Sequence, residues 1–470
     1  MTKPAVRILP VTQQAPVEGA CCGACAGEAA AVEVAAAPLR PVLSVRPARP
    51  TISRTDDRRI TFGGVALAAA LLALALATSL LPEAARRGLW LPLHLGLAGA
   101  AGTAVAAVLP FFTAALTVAP PAATRIRVAA VGLIAGGALV VSGGVAWSAG
   151  AVAVAGGLLY LAGLACLGFA AFAPLRGSLG PRRRLVERAY AAALVQVAIG
   201  VVLATAMLAN VAPVVERWAL LKPAHAWLNV LGFVSIVIAA TLLHLAPTVA
   251  GTRIRPRRSA TIAILGLAVG APLVALGLAL ANDVLARAGA VLELGGAAAL
   301  VAHGLAVWRD RGRWTTDAAW HRLTGWSLTI APVWLFVAVA IAAGRVLAAG
   351  AAPGAWSLDV LAAPLAIGWA AQVVIGSWSH IVPAIGPGDM PAHARQRAIL
   401  GRAAVARVAI LNAGVALATL GGAVEAGGLV ALGALLVAAA LATALALFGT
   451  AAVRGLAPVG SPAAGPTPGR

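Results

Sequence analysis

From Ile60 to Phe448 the chain is a succession of apolar runs, each about 20 residues long, separated by short polar loops. No other feature constrains the fold as much. Inside a bilayer every backbone N–H and C=O must be satisfied by the protein itself, so such a run is a helix or part of a closed barrel. Barrel strands alternate polar and apolar residues. These runs are rich in Ala, Leu, Val and Gly and do not alternate. They predict an all-α, polytopic membrane bundle. With 61% apolar and 11% charged residues, a string of soluble domains is excluded for a chain of 470 residues.

Twelve spans are predicted, at 60–81, 89–118, 126–146, 150–174, 188–212, 226–250, 260–281, 284–308, 321–343, 361–385, 402–421 and 427–449. They are numbered helices 1 to 12 below. A net charge of +20 would suit a nucleic-acid binder, but the positive residues sit in short loops. Alternate segments hold 29 of the 35 Lys and Arg residues, leaving 6 for the other side. Positive residues collect on the cytoplasmic side, so both termini are expected inside, in a multi-pass protein of the plasma membrane. The bilayer is the expected partner and nucleic acid is not. Trp90, Trp147, Trp218, Trp227, Trp308, Trp320 and Trp356 fall near span ends, where interfacial aromatic belts form.

Residues 1–59 hold seven prolines and eight Lys/Arg with no apolar period, and read as a disordered, basic cytoplasmic arm. Within it, Cys21, Cys22 and Cys25 could bind a soft metal or exchange disulfides, although one such cluster is an incomplete site. The membrane domain is expected at 60–449 and a disordered tail at 450–470.

Ionisable side chains inside spans are costly and tend to mark function. His225 and His244 bracket helix 6 at a separation of roughly 28 Å, close to the hydrocarbon thickness. His244-Leu-Ala-Pro247 recurs as His380-Ile-Val-Pro383 in helix 10. Helices 2, 6 and 10 share a direction, and each carries at least one histidine and a proline in its inner half: Pro110, Pro247 and Pro383. A period of four helices in a chain of twelve suggests three arcs about a pseudo-threefold axis.

Sorted by depth, His94 and His225 lie near the outer face. His244, His303, His321 and His380 lie within about two turns of the cytoplasmic face. Neutral imidazoles are good haem, copper or zinc ligands, and two of them must share a depth to share a metal. The expected primary site is His244 with His380, with His303 at the same level. His94 with His225 forms a second or alternative site. His321, beside Trp320 and Arg322, and His393, in a loop, read as interfacial side chains. Glu293 falls near the middle of helix 8, where a carboxylate must be protonated or paired, and is a candidate proton carrier. Gln196 and Asn210 on helix 5, and Gln372 on helix 10, read as hydrogen-bonding partners between helices. Glycines such as Gly63-Gly64, Gly136-Gly137 and Gly156-Gly157 read as points of close helix approach.

Twelve spans with both ends inside and histidines on helices 2, 6 and 10 resemble subunit I of the haem-copper oxidase superfamily, and also its divergent NnrS-like haem- and copper-containing proteins of nitric-oxide metabolism. The resemblance implies a low-spin haem ligand at His94 and a copper ligand at His225 or His244. It also implies haem and copper as cofactors and an electron-donor protein as partner. Two departures limit it. Helix 7 has no histidine where the oxidases carry a pair, and helix 10 has His380 alone where they carry His-x-His. The oxidase activity is therefore not expected. The alternative is a twelve-helix permease with a midplane acid at Glu293.

Overall fold

A computed structural model describes residues 54–178, 184–311, 319–352, 359–386 and 388–455. Cys21, Cys22, Cys25, Trp356, nearly all of the basic arm and the last fifteen residues lie outside them. Among the described residues the chain is helical, without a strand, and twelve helices are long and apolar enough to cross a membrane.

Helix 1 is Arg54–Thr78, helix 3 Thr124–Ala146, helix 4 Gly150–Phe172 and helix 5 Arg184–Leu208. Helix 7 is Arg258–Ala279, helix 8 Asp283–Arg309, helix 9 Ala319–Ala349, helix 11 Ala404–Ala423 and helix 12 Gly427–Gly455. Helices 2, 6 and 10 are each composite. Helix 2 joins Trp90–His94, a π-helical segment Leu95–Ala101 and Gly102–Thr117. Helix 6 joins Trp218–Trp227, π-helical Leu228–Val234 and Ser235–Val249. Helix 10 joins Asp359–Leu361, π-helical Ala362–Ala371 and Gln372–Ile385.

Several helices outrun the apolar runs that predict them. Helix 1 starts at Arg54 rather than 60, because no proline or glycine in RTDDRR breaks it. The extra turn has a use: Asp57 pairs there with Arg127, which is buried at the foot of helix 3. Helix 6 starts at Trp218, eight residues ahead of its expected start, and this brings His225 into the helix proper.

The period of four is present in the packing. The closest helix pairings are 3 with 4, 7 with 8, and 11 with 12. Each is a tight antiparallel hairpin whose turn contains one residue in the left-handed region: Ser148 (φ 57°), Ala281 (φ 51°) and Glu425 (φ 55°). Glycine sets the approach in all three. A Cβ on Gly137, Gly270 or Gly421 would lie 2.7 Å from the backbone nitrogen of Tyr160, Glu293 or Val430, respectively. Small residues let backbones close in where the surrounding lipid offers no hydrophobic drive between helices. Gly64 and Gly156 also meet a neighbouring helix, whereas Gly63 and Gly136 face open space.

Composite helices 2, 6 and 10 complete the repeat. Helix 6 is the most enclosed of the spans, and Trp227, Leu231, Ile236 and Ala240 on it are core residues. Its Ser235 Oγ accepts from Trp369 Nε1 of helix 10 at 3.2 Å. Helix 10 reaches helix 1 in turn, through an edge contact of Trp378 with Phe62. Exposed Leu158, Ile262, Val291 and Leu435 line the outside, as suits a surface solvated by acyl chains.

Candidate functional site: a histidine pair at each face

Helices 2 and 6 open in the same way. One reads Trp90-Leu-Pro92-Leu-His94 before its π segment, and the other reads Lys222-Pro223-Ala-His225 before its own. A π turn takes one residue more than an α turn, so it rotates the helix on its N-terminal side relative to the helix on its C-terminal side and loosens a carbonyl. In helix 2 the carbonyl of Ala98 accepts from Tyr160 Oη at 3.2 Å.

These openings bring His94 and His225 together, with ring centroids 6.4 Å apart and planes within 7°. Each ring is held by a backbone carbonyl. His94 Nδ1 lies 2.8 Å from the oxygen of Trp90, and His225 Nδ1 lies 2.8 Å from that of Gly200 on helix 5. A carbonyl only accepts, so His94 Nδ1 carries the proton and its Nε2 keeps a lone pair, and at His225 the Gly200 carbonyl favours the same tautomer. Asn229 Nδ2 donates to the His225 carbonyl at 2.7 Å and also lies 2.9 Å from His225 Nδ1. The indole of Trp90 stacks on His94 at 3.9 Å.

The chemistry of that donor set is narrow. Two imidazoles on opposite sides of one metal ion, each nitrogen about 2 Å from it, have centroids about 6.3 Å apart. The observed centroid separation is 6.4 Å. A protein-ligated tetrahedral zinc needs three or four ligands. Among the described residues no group of three His, Cys, Asp or Glu side chains is arranged to hold a metal ion.

The arginine-rich face holds the other histidines. His380 lies beside His321, with centroids 6.2 Å apart and planes at 25°. The ring set aside in the sequence is thus the one the structure puts next to His380. His244 and His303 are both buried, on helices 6 and 8, and among the described residues neither ring nitrogen of His303 has a hydrogen-bond partner. A water-sized cavity of about 30 Å³ opens next along these helices, lined by Ala246, Val249, Gly304, Val307, Gly325 and Leu328. His393 bonds the carbonyl of Gly386 at 3.0 Å, an anchoring role.

Glu293 is fully buried. Trp227 Nε1 donates to its Oε2 at 2.6 Å, while Oε1 has no hydrogen-bond partner among the described residues. The acid is thus tied to helix 6 two residues beyond His225. Gln196 and Gln372 donate to the carbonyls of Ala268 and Ser327 on neighbouring helices, at 3.2 and 3.5 Å. Asn210 does not share their role. Helix 5 ends at Leu208, and Asn210 is exposed in a left-handed turn (φ 52°), so it shares no helix face with Gln196.

The paired Pro-x-His openings were legible in the sequence and are the signal for the His94–His225 pair. Nothing local marks His321, whose partner lies on another helix.

The described residues thus define a helical bundle able to cross a membrane twelve times, with a histidine pair at each face. Set against family models and against curated proteins, the chain matches none.

Proposed function

We propose that this chain is an integral membrane haem- or copper-binding redox protein whose principal centre is held by His94 and His225. The observation that carries the reading is the pair itself: two rings at bis-imidazole separation, both with Nδ1 committed to a carbonyl and Nε2 left as a donor. The resemblance to haem-copper oxidase subunit I and to the NnrS-like proteins supports it, since there too helix 2 supplies a haem ligand. Haem iron or copper bound at such a pair supplies one-electron chemistry in a site of low polarity. The chain's own residues keep the rings in the ligating tautomer, through the carbonyls of Trp90 and Gly200, and cover His94 with an indole. Glu293, two residues of helix 6 away through Trp227, is the group we assign to holding a proton near that centre. The arginine distribution argues for both termini in the cytoplasm of a plasma-membrane protein, and the resemblance implies an electron-donor protein as partner.

The test is cofactor content. Detergent-purified protein should carry haem or copper, measured by absorption and metal analysis. His94→Ala and His225→Ala should each lower cofactor affinity by more than the roughly 10- to 100-fold that loss of a ligand's outer-shell partner costs. A colourless, metal-free preparation that takes up neither cofactor would overturn the reading and favour the permease.

A further inference from the structure

We propose that Arg407 anchors an oxyanion site on the arginine-rich face, which takes the phosphate of a phospholipid headgroup. The site shares no residue with either histidine pair, and it stands or falls independently of the cofactor.

Two arginines are buried among the described residues, and their surroundings differ. Arg127 has the carboxylate of Asp57. Arg407, in the first turns of helix 11 and only 6% exposed, pairs with no carboxylate among the described residues. Its Nη1 donates to the carbonyl of Leu400 at 2.9 Å and, less closely, to that of Arg402 at 3.5 Å. Nε and Nη2 are buried and have no hydrogen-bond partner among the described residues. Those two nitrogens form one edge of the guanidinium plane, with N–H bonds running parallel. It is the edge that holds a phosphate or carboxylate through two oxygens at once. A guanidinium does not lose its proton in a protein, so burying it with that edge unused is strongly unfavourable. A bound oxyanion removes the penalty.

The neighbouring backbone favours the same charge. A short helix, Met390–Leu400, leads through residues 401–403 into helix 11. Ala403, in the left-handed region (φ 48°), stands at the N-cap and has no side-chain oxygen to offer the first turn. An uncapped helix N-terminus attracts an anion. Helical side chains slant toward the N-terminus, and Arg407 reaches back to this turn, where it meets the carbonyls of Leu400 and Arg402. The guanidinium and the helix end thus serve one place.

Depth selects a lipid as the source of the phosphate. Helix 11 has 20 residues and a length of about 30 Å, the thickness of the hydrocarbon, so its first turn lies at headgroup level. Arg402 is exposed in the adjoining turn, and Arg454 is exposed on the last turn of helix 12, whose Ala451 packs against Leu400. Basic pockets between spans on the cytoplasmic side bind lipid headgroups. Beside Arg407 on helix 11, Ala406 and Ile410 are exposed and provide an apolar surface for acyl chains.

The test uses the full chain, purified in a neutral detergent and stripped of lipid. Three probes are titrated separately: dioctanoyl phosphatidylglycerol, dioctanoylglycerol with the same acyl chains and no phosphate, and inorganic phosphate. Native mass spectrometry and the thermal unfolding midpoint report binding. One equivalent of the phospholipid should bind at least about tenfold more tightly than dioctanoylglycerol, as charge-assisted hydrogen bonds provide. Arg407→Lys, which keeps the charge and loses the two-pronged edge, should weaken it by about 10- to 100-fold. Arg258→Gln, an exposed arginine at the start of helix 7 on the same face, should leave it unchanged. If Arg407→Lys does not fold, the ratio of the two lipids on the wild-type chain decides. Equal affinity for both lipids, or equal losses in Arg407→Lys and Arg258→Gln, overturns the site in favour of general attraction to a basic face. Inorganic phosphate binding as tightly as the phospholipid, and lost in Arg407→Lys, supports the oxyanion site and overturns the lipid as its source.

Discussion

A carboxyl with no access to water, such as Glu293, survives in a bundle only if its oxygens are accommodated by neighbours. Here one oxygen takes the indole N–H of Trp227. Glu293→Gln keeps an acceptor for that donor and should lower unfolding free energy in detergent by less than removal of the donor does. Trp227→Phe removes the donor and should cost about 1 kcal/mol from the lost bond, with the lost packing added. If the two substitutions prove equally damaging by chemical unfolding, the bond is not what holds this pair. A second prediction concerns Asn229, which secures the backbone of His225. Asn229→Ala should weaken cofactor affinity by about 10- to 100-fold, as loss of an outer-shell partner does, with helicity unchanged. Titration of the apoprotein measures it.

Helices here are placed by glycine and tuned by π turns. Gly137→Val would force helices 3 and 4 apart against the backbone of Tyr160 and should cost about 1–3 kcal/mol. Gly136→Ala, one residue away with open space before it, should be neutral. Unfolding of both variants in the same detergent makes the comparison, and equal effects would refute the packing argument. The π segment of helix 2 has its own test. Deleting Gly96 should return Leu95–Ala101 to α-helical winding and swing His94 by about 100° relative to the rest of helix 2. The expected outcome is a helical, monodisperse protein without the cofactor of the His94–His225 site. Retention of that cofactor would show that the π turn does not orient His94.

For the molecule as a whole, the two faces carry histidine pairs of different make. Helices 2 and 6 supply one pair from their openings, and helices 9 and 10 supply the other from the opposite end. Orientation is a separate question, and the arginine distribution predicts the answer. A maleimide that cannot cross membranes should label an exposed Arg255→Cys, in a chain otherwise stripped of cysteine, only after the cells are permeabilised. Labelling of intact cells would invert the topology.

What the sequence determined by itself was the set of helices, because spanning a bilayer demands a long apolar run with internal hydrogen bonding, and that demand is local. It also carried the period of four, in the prolines of helices 2, 6 and 10, and the buried acid at Glu293. The Pro-x-His openings at Pro92 and Pro223 stood in plain view. Tertiary structure alone decided which rings meet. His94 faces His225 only once two π segments have turned their helices. His380 meets His321, rather than being assigned by motif to His244, because Gly376 lets helix 10 close on Ser327. A motif records what one helix repeats. A ligand pair depends on rotation and register between helices, and these are set by close contacts at residues far apart in the chain.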